Sequence, residues 1–288
     1  MAKLLLLALI LIGQDDPVFR SDSSFIAVDV QVLAGLHAAT GLKRDDFRIW
    51  DNNRPQAIAG FGTEDQELDV LLMIDVSQST SAIQEAIKSS ATAAMAQLLP
   101  GDRVGVVVFA DEPFVATPLT VDRAAVAAAI ARLPAGRGGT ELNATTKSTA
   151  KYLQQKARPG ARRAIVMMTD NKGYQGVDDQ EVRRELWASN VVFNVLLFPA
   201  NSSRGKADVR TFAKATGGEA LALRGQGVSL EELFRRLRQR YFLLYAAPES
   251  KPGELHQIRV QLSADAKRRF PNAKVNARSG YVEEGSPP

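Results

Sequence analysis

Cysteine is absent from this 288-residue chain, and histidine occurs only twice. Without thiols there is no disulfide, no zinc–thiolate site, no thiol nucleophile and no cysteine for a lipid anchor. A large excess of one charge is also missing. The 36 basic and 32 acidic residues leave a net charge of +4 with both signs interspersed, which gives a nucleic-acid footprint little support. The densest basic stretches, Arg235, Arg236, Arg238 and Arg240 and then Lys267 to Arg269, read as a solvated helix face and a turn. No apolar run is long enough for a transmembrane helix, which takes ~18–20 residues. The run Leu4 to Ile12, after Met1-Ala-Lys3 and ending at Gly13, instead fits the core of an export signal. The expectation is a signal at 1–13, a mature chain from near Gln14 with no transmembrane helix, and a periplasmic or extracellular location.

What is present is ample for a buried core: 45% hydrophobic and 24% charged residues. From Phe25 to Phe61 the pattern is strand-like. FIAVDVQVL alternates apolar and polar residues, FRIWD is a short strand, and RPQAIAGF reads as another after the turn Asp51-Asn52-Asn53. The middle then alternates continuous apolar runs (Val70 to Ile74, Val104 to Phe109, Ala164 to Met168, Val191 to Phe198) with helical patterns. Helices are expected over about Thr80–Leu99, Asp122–Leu133, Leu142–Lys156, Asp179–Ser189, Asp208–Ala215 and Ser229–Arg240, the last with an apolar stripe of Leu230, Leu233, Phe234 and Leu237 to pack on the sheet. Uninterrupted apolar strands separated by helices predict a parallel sheet covered on both faces, a doubly wound α/β domain over 67–240. After Arg240 the chain returns to strands (YFLLYA, HQIRVQL, AKVNARSGYV). The segments 18–64 and 241–282 are therefore expected to meet as a small β-rich domain, with 283–288 a disordered tail.

In an open α/β sheet, ligands bind beyond the carboxyl ends of the strands. Asp75, Ser77 and Ser79 follow the first central strand directly, and Asp170 follows the run AIVMMT. The glycine-rich loop AGRGGTEL delivers Thr140 to the start of a helix. Each has an ordinary reading alone, Ser79 as a helix cap and Asp170 as a turn residue. Together, two carboxylates and three hydroxyls from three loops suit a hard cation with oxygen ligands, Mg²⁺ first, with Mn²⁺ or Ca²⁺ as alternatives.

The pattern Asp75-Val-Ser77-Gln-Ser79, with Thr140 in GGTEL and Asp170 in MMTDN, resembles the metal-ion-dependent adhesion site of von Willebrand factor type A domains. GDRVGVVVFAD, Gly101 to Asp111, looks like the second strand of that fold. The flanking VDVQVL, GLKRDDFRIWDNNRPQAIAGF, RYFLLYA, HQIRVQL and VNARSGY are similar to bacterial exported proteins related to this family. The resemblance implies that the serines, and often the threonine, bind the ion directly, the aspartates directly or through water. It also implies that one position stays free for an Asp or Glu of a protein partner. Two departures stand out: Asn171-Lys172-Gly173 where the family has glycine directly after the aspartate, and Thr80 where methionine is common. Lys172 brings a positive charge to that edge.

Enzyme readings fit less well. A phosphatase with a nucleophilic aspartate after its first strand needs a second aspartate where Ser77 stands, there is no G-x-S-x-G elbow, and GRGGT lacks the Gly-Lys-Ser/Thr ending of a phosphate loop. The sequence thus predicts a non-enzymatic, cation-dependent protein-interaction or adhesion module. A scaffold whose metal only staples loops is the alternative, and a metal-dependent hydrolase ranks below it.

Overall fold

The computed structural model describes residues 25–63, 66–134, 136, 138–173, 176–198, 209–222 and 229–283. The expected export signal and the tail beyond Glu283 lie outside them. Among the described residues no helix is long and apolar enough to cross a membrane.

The first flank forms β1 (Phe25–Ala34), β2 (His37–Ala38), β3 (Phe47–Asp51), β4 (Arg54–Gln56) and β5 (Gly60–Gly62). The α/β portion follows with β6 (Leu68–Asp75), α1 (Gln84–Ala94), β7 (Arg103–Phe109), β8 (Pro113–Thr120), α2 (Arg123–Ala131), α3 (Leu142–Lys156), β9 (Arg162–Thr169), α4 (Asp179–Ala188), β10 (Val191–Leu197), α5 (Val209–Thr216), β11 (Ala220–Ala222) and α6 (Leu230–Arg238). The second flank is β12 (Tyr241–Ala246), β13 (Leu255–Leu262), α7 (Ala264–Arg269), β14 (Lys274–Ala277) and β15 (Gly280–Val282).

All eight residues of β6 are buried, as a strand with helices on both faces requires. Its alternate side chains divide between two cores. Leu68, Val70, Leu72 and Ile74 pack with Ile87, Ala91, Val126, Ile130, Leu233 and Phe234, so α1, α2 and α6 cover one face. Leu71 and Met73 pack with Leu142, Leu153, Val182, Leu186 and Phe212, so α3, α4 and α5 cover the other. The sheet order is β11-β10-β9-β6-β7-β8, parallel except for the antiparallel edge strand β8. The chain runs outward from β6 through β7 and β8, then returns to the other side of β6 as β9. The switch point of this doubly wound sheet therefore lies between the carboxyl ends of β6 and β9.

The flanks join as two further sheets, β14-β1-β12-β5 with β2 beside β1, and β15-β13-β3-β4. They enclose a shared core of Val28, Val30, Val32, Phe47, Ile49, Leu243, Tyr245, Ile258 and Leu262. The alternation V-D-V-Q-V in β1 turns the valines into this core and leaves Asp29 and Gln31 for the opposite face, which meets the α/β portion. There Asp29 accepts from Arg162 Nε at 2.7 Å and from Arg240 Nε. Gln31 donates to Glu219 Oε1 at 2.6 Å, and Arg236 Nη1 donates to Glu219 Oε2 at 2.7 Å.

Four expectations need correction. Arg236, Arg238 and Arg240 are not a solvated face: they are buried and paired with Glu219, Asp102 and Asp29. Only Arg235 of that stretch is exposed, because each of the other three guanidinium groups meets a carboxylate brought to it from another part of the chain. Lys267 to Arg269 end the short helix α7 instead of forming a turn. RPQAIAGF is two strands in different sheets, β4 pairing with β3 and β5 with β12. The helix expected from Thr80 begins as a 3₁₀ turn, Gln78–Ile83, and becomes α-helical only at Gln84.

Candidate functional site

Asp75 is the last residue of β6, and β9 runs beside it in register, Ile74 opposite Met168. Asp170 thus emerges beside Asp75 at the switch point. The Asp75 side chain is fully buried. Its Oδ1 accepts from the Ser77 backbone N–H at 3.0 Å and the Ser77 hydroxyl at 2.5 Å, and its Oδ2 accepts from the Thr169 hydroxyl at 2.6 Å. Ser77 stands at the entrance of the 3₁₀ turn without a side-chain capping bond, so its hydroxyl serves the carboxylate rather than the helix end. The exposed Ser79 places its Oγ 3.3 Å from that of Ser77. Beneath them, Thr80 Oγ1 donates to the carbonyls of Asp75 and Ser77, and Gln84 Nε2 donates to the Asp75 carbonyl at 2.9 Å.

The glycine loop is tied to the end of β7. Gly139 N–H donates to Asp111 Oδ1 at 2.7 Å and Glu141 N–H to the Ala110 carbonyl at 3.0 Å. Gly138 adopts φ +73°, and a Cβ there would fall 2.2 Å from Asp111 Oδ2, so no larger residue fits against Asp111. Thr140, just before α3, is buried, and its hydroxyl finds no partner among the described residues. Asp170 Oδ1 accepts from the Lys172 N–H at 3.1 Å, whereas Oδ2 is buried without a hydrogen bond, the Lys172 ammonium lying 3.7 Å away. Ser77, Ser79, Thr140 and Lys172 line one pocket of about 440 Å³.

The structure therefore brings the five expected residues to one edge of the sheet. Burial pushes the Asp75 carboxyl up to about 6, with repulsion from Asp170 adding to it, against the opposing hydrogen bonds from Ser77 and Thr169. No group of three or more His, Asp or Glu residues gathers for a metal among the described residues, so any ion here would rest on two carboxylates and three hydroxyls. That all-oxygen set, with a buried carboxylate oxygen in it that accepts no hydrogen bond among the described residues, fits a hard divalent cation. Sequence reasoning missed the supporting layer of Thr169, Thr80, Gln84 and Asp111. Hydroxyl and amide side chains at a strand end carry no spacing signal of their own, although Asp111, two residues beyond the end of β7, stands at the same edge of the sheet as Asp75 and Asp170.

Residues 70–173 match the family described as the von Willebrand factor type A domain. Among solved structures, a von Willebrand factor type A protein from Catenulispora acidiphila is 15% identical with a TM-score of 0.51, over 92% of this chain and 74% of that one. The conserved hypothetical protein BatB from Bacteroides thetaiotaomicron is 16% identical over 59% of this chain and 97% of its own, with a TM-score of 0.47. An aerotolerance-related membrane protein from Bacteroides fragilis is 18% identical over 59% and 94%, with a TM-score of 0.45. The comparison with curated proteins gives no match. At these identities the likeness to the Catenulispora protein is one of fold. Domains of the matching family commonly mediate protein interactions, mostly without catalysis, and often bind a metal. By its sequence match over 70–173 and by its fold, the α/β portion of this chain is a von Willebrand factor type A domain.

Proposed function

We propose that the chain is an exported, non-enzymatic interaction module that binds a divalent cation, Mg²⁺ first, and through it an Asp or Glu of a protein partner. Asp75, Ser77, Ser79, Thr140 and Asp170 would hold the ion. The observation that carries this reading is the buried Oδ2 of Asp170, which accepts no hydrogen bond among the described residues, beside the desolvated Asp75. Such oxygens are costly in a metal-free protein and are relieved by a cation. When bound, the ion supplies positive charge and a free coordination position for an anionic ligand. Lys172, at the pocket wall, adds a second attraction for an acidic side chain.

The staple reading is weaker because the loops are already tied without an ion: Asp75 to Ser77 and Thr169, and Asp111 to Gly139. Export rests on the run Leu4 to Ile12. No catalytic step is assigned: both histidines, His37 and His256, lie in strands of the flanking sheets, and His256 is engaged with Asp51 at 2.7 Å.

The test is capture of a partner from a native envelope fraction by the immobilised protein, with Mg²⁺ and with EDTA. Capture that requires Mg²⁺ and is lost in Asp75→Ala is expected. Capture that survives both changes would return the site to a structural role.

A further inference from the structure

At the seam between the von Willebrand factor type A domain and the flanking sheets, Arg162 and Arg236 hold Asp29 and Glu219 by hydrogen-bonded ion pairs of 2.7 Å. Lys172 holds Asp170 differently. Its ammonium stands 3.7 Å from Asp170 Oδ2, close enough to offset the charge of a carboxylate that is 1% exposed, and too far to donate a hydrogen bond to it. The oxygen therefore keeps its capacity to bind something nearer. Nor is this an ordinary surface pair such as Lys147 with Glu181, where both groups face water at 2.8 Å and little depends on the contact.

The backbone that carries Lys172 is fixed from both directions. Asn171, at φ +59°, donates its N–H to Thr169 Oγ1 at 3.0 Å, and the Lys172 N–H donates to Asp170 Oδ1 at 3.1 Å. Gly173 packs so closely on the next loop that a Cβ there would fall 2.7 Å from the Thr140 carbonyl oxygen. Asp170 and Thr140 can thus stay in place while the Lys172 side chain moves. That side chain is a flexible four-carbon stem ending in a strongly hydrated charge, it is 25% exposed, and it lines the pocket shared with Ser77, Ser79 and Thr140. A change of rotamer is enough to take the ammonium from Asp170 to water.

We infer that the Lys172 ammonium is the site's internal stand-in for the cation, and that a divalent ion displaces it from Asp170 toward the mouth of the pocket. This rests on the cation reading of the carboxyl edge and adds its regulation. An ion that takes up Asp170 Oδ2 stands beside the ammonium, and the two charges repel. The ion carries twice the charge and accepts several oxygen ligands at once, so the carboxylate goes to the ion and the lysine is released. In the metal-free protein Lys172 is engaged with Asp170 and has little to offer an acidic partner. In the loaded protein the ion and the released ammonium attract it together, so one binding event turns on both attractions.

The experiment pairs crystal structures of the whole protein in EDTA and in Mg²⁺ with calorimetric titration of Mg²⁺ into the parent, Lys172→Gln and Lys172→Arg. In EDTA the Lys172 ammonium should lie within about 4 Å of Asp170 Oδ2, and in Mg²⁺ more than about 6 Å away, outside the range of a close ion pair. Lys172→Gln should bind Mg²⁺ about two- to fivefold more tightly than the parent, and Lys172→Arg, which keeps the charge, should bind as the parent does. The substituted side chain is partly exposed, and an unchanged melting temperature verifies that both variants fold. Mg²⁺ bound by the parent with Lys172 still beside Asp170, equal affinity in all three proteins, or equal tightening in both variants would overturn this inference and leave the cation reading standing. No Mg²⁺ binding by the parent would overturn the cation reading and this inference with it.

Discussion

Asp29, at the seam, and Asp75, at the carboxyl edge of the parallel sheet, are both carboxylates largely removed from water, and their surroundings are of opposite character. Asp29 lies between Arg162 and Arg240, whose side chains are 1% and 0% exposed. Burial raises its pKa, but the two guanidinium groups outweigh that and hold it below the ordinary carboxylate value. Asp75 has only hydroxyl and amide donors, with a second carboxylate nearby, and burial pushes it up to about 6. The seam is neutralised by the chain itself. At the carboxyl edge no arginine or lysine pairs with Asp75 among the described residues, and Asp170 has the Lys172 ammonium at 3.7 Å. A buried carboxylate that the fold satisfies is a structural part, and one that it leaves unsatisfied marks a place for something from outside.

The largest effect should come from breaking the satisfied side. Asp29→Ala strands two buried guanidinium groups and should cost about 3–5 kcal/mol in urea unfolding, while Mg²⁺ binding by the folded protein stays as in the parent. On the unsatisfied side the sign reverses. A folded pKa raised above the unfolded value means that metal-free protein loses stability as pH rises from about 4 through about 6. Asp75→Asn should remove that slope and raise stability in EDTA at pH 7 by up to about 3 kcal/mol, read from melts across pH. Asp29 behaves oppositely: its contribution is present above pH 3.8 and fades as pH falls through its lowered value.

Thr169→Val should cost about 2 kcal/mol, since it removes the hydroxyl that donates to Asp75 Oδ2 and accepts from the Asn171 N–H. The smallest effect is expected from Lys172→Ala. Loss of a partly exposed ammonium beside Asp170 should tighten Mg²⁺ about two- to fivefold with little change in the melting temperature.

The same contrast explains what was legible in the sequence. Apolar runs, broken in β10 only by Asn194, mark β6, β7, β9 and β10, because strands covered on both faces leave no polar alternation to confuse the pattern. Asp75, Ser77, Ser79 and Asp170 were legible because they follow such runs, and Thr140 because a glycine-rich loop leads into it. The seam was not. On helix α6 and just beyond it a run of arginines looks like a solvated face, and only the tertiary partners Glu219, Asp102 and Asp29 turn Arg236, Arg238 and Arg240 inward. β8 escaped notice because it carries Pro113 and Pro118, residues confined to sheet edges. It is indeed an edge strand, with register shifts against β7. The split of RPQAIAGF into β4 and β5 depends on which neighbour each half meets, and no local pattern encodes that.

The central claim is that the carboxyl edge is completed by a divalent cation. Calorimetric titration of Mg²⁺ into EDTA-stripped and dialysed protein tests it most directly, alongside Asp75→Asn and Asp170→Asn variants whose fold is verified by circular dichroism. The account predicts one Mg²⁺ per chain for the parent and no measurable binding in either variant. Binding of equal affinity in all three proteins, or none in the parent, would contradict it.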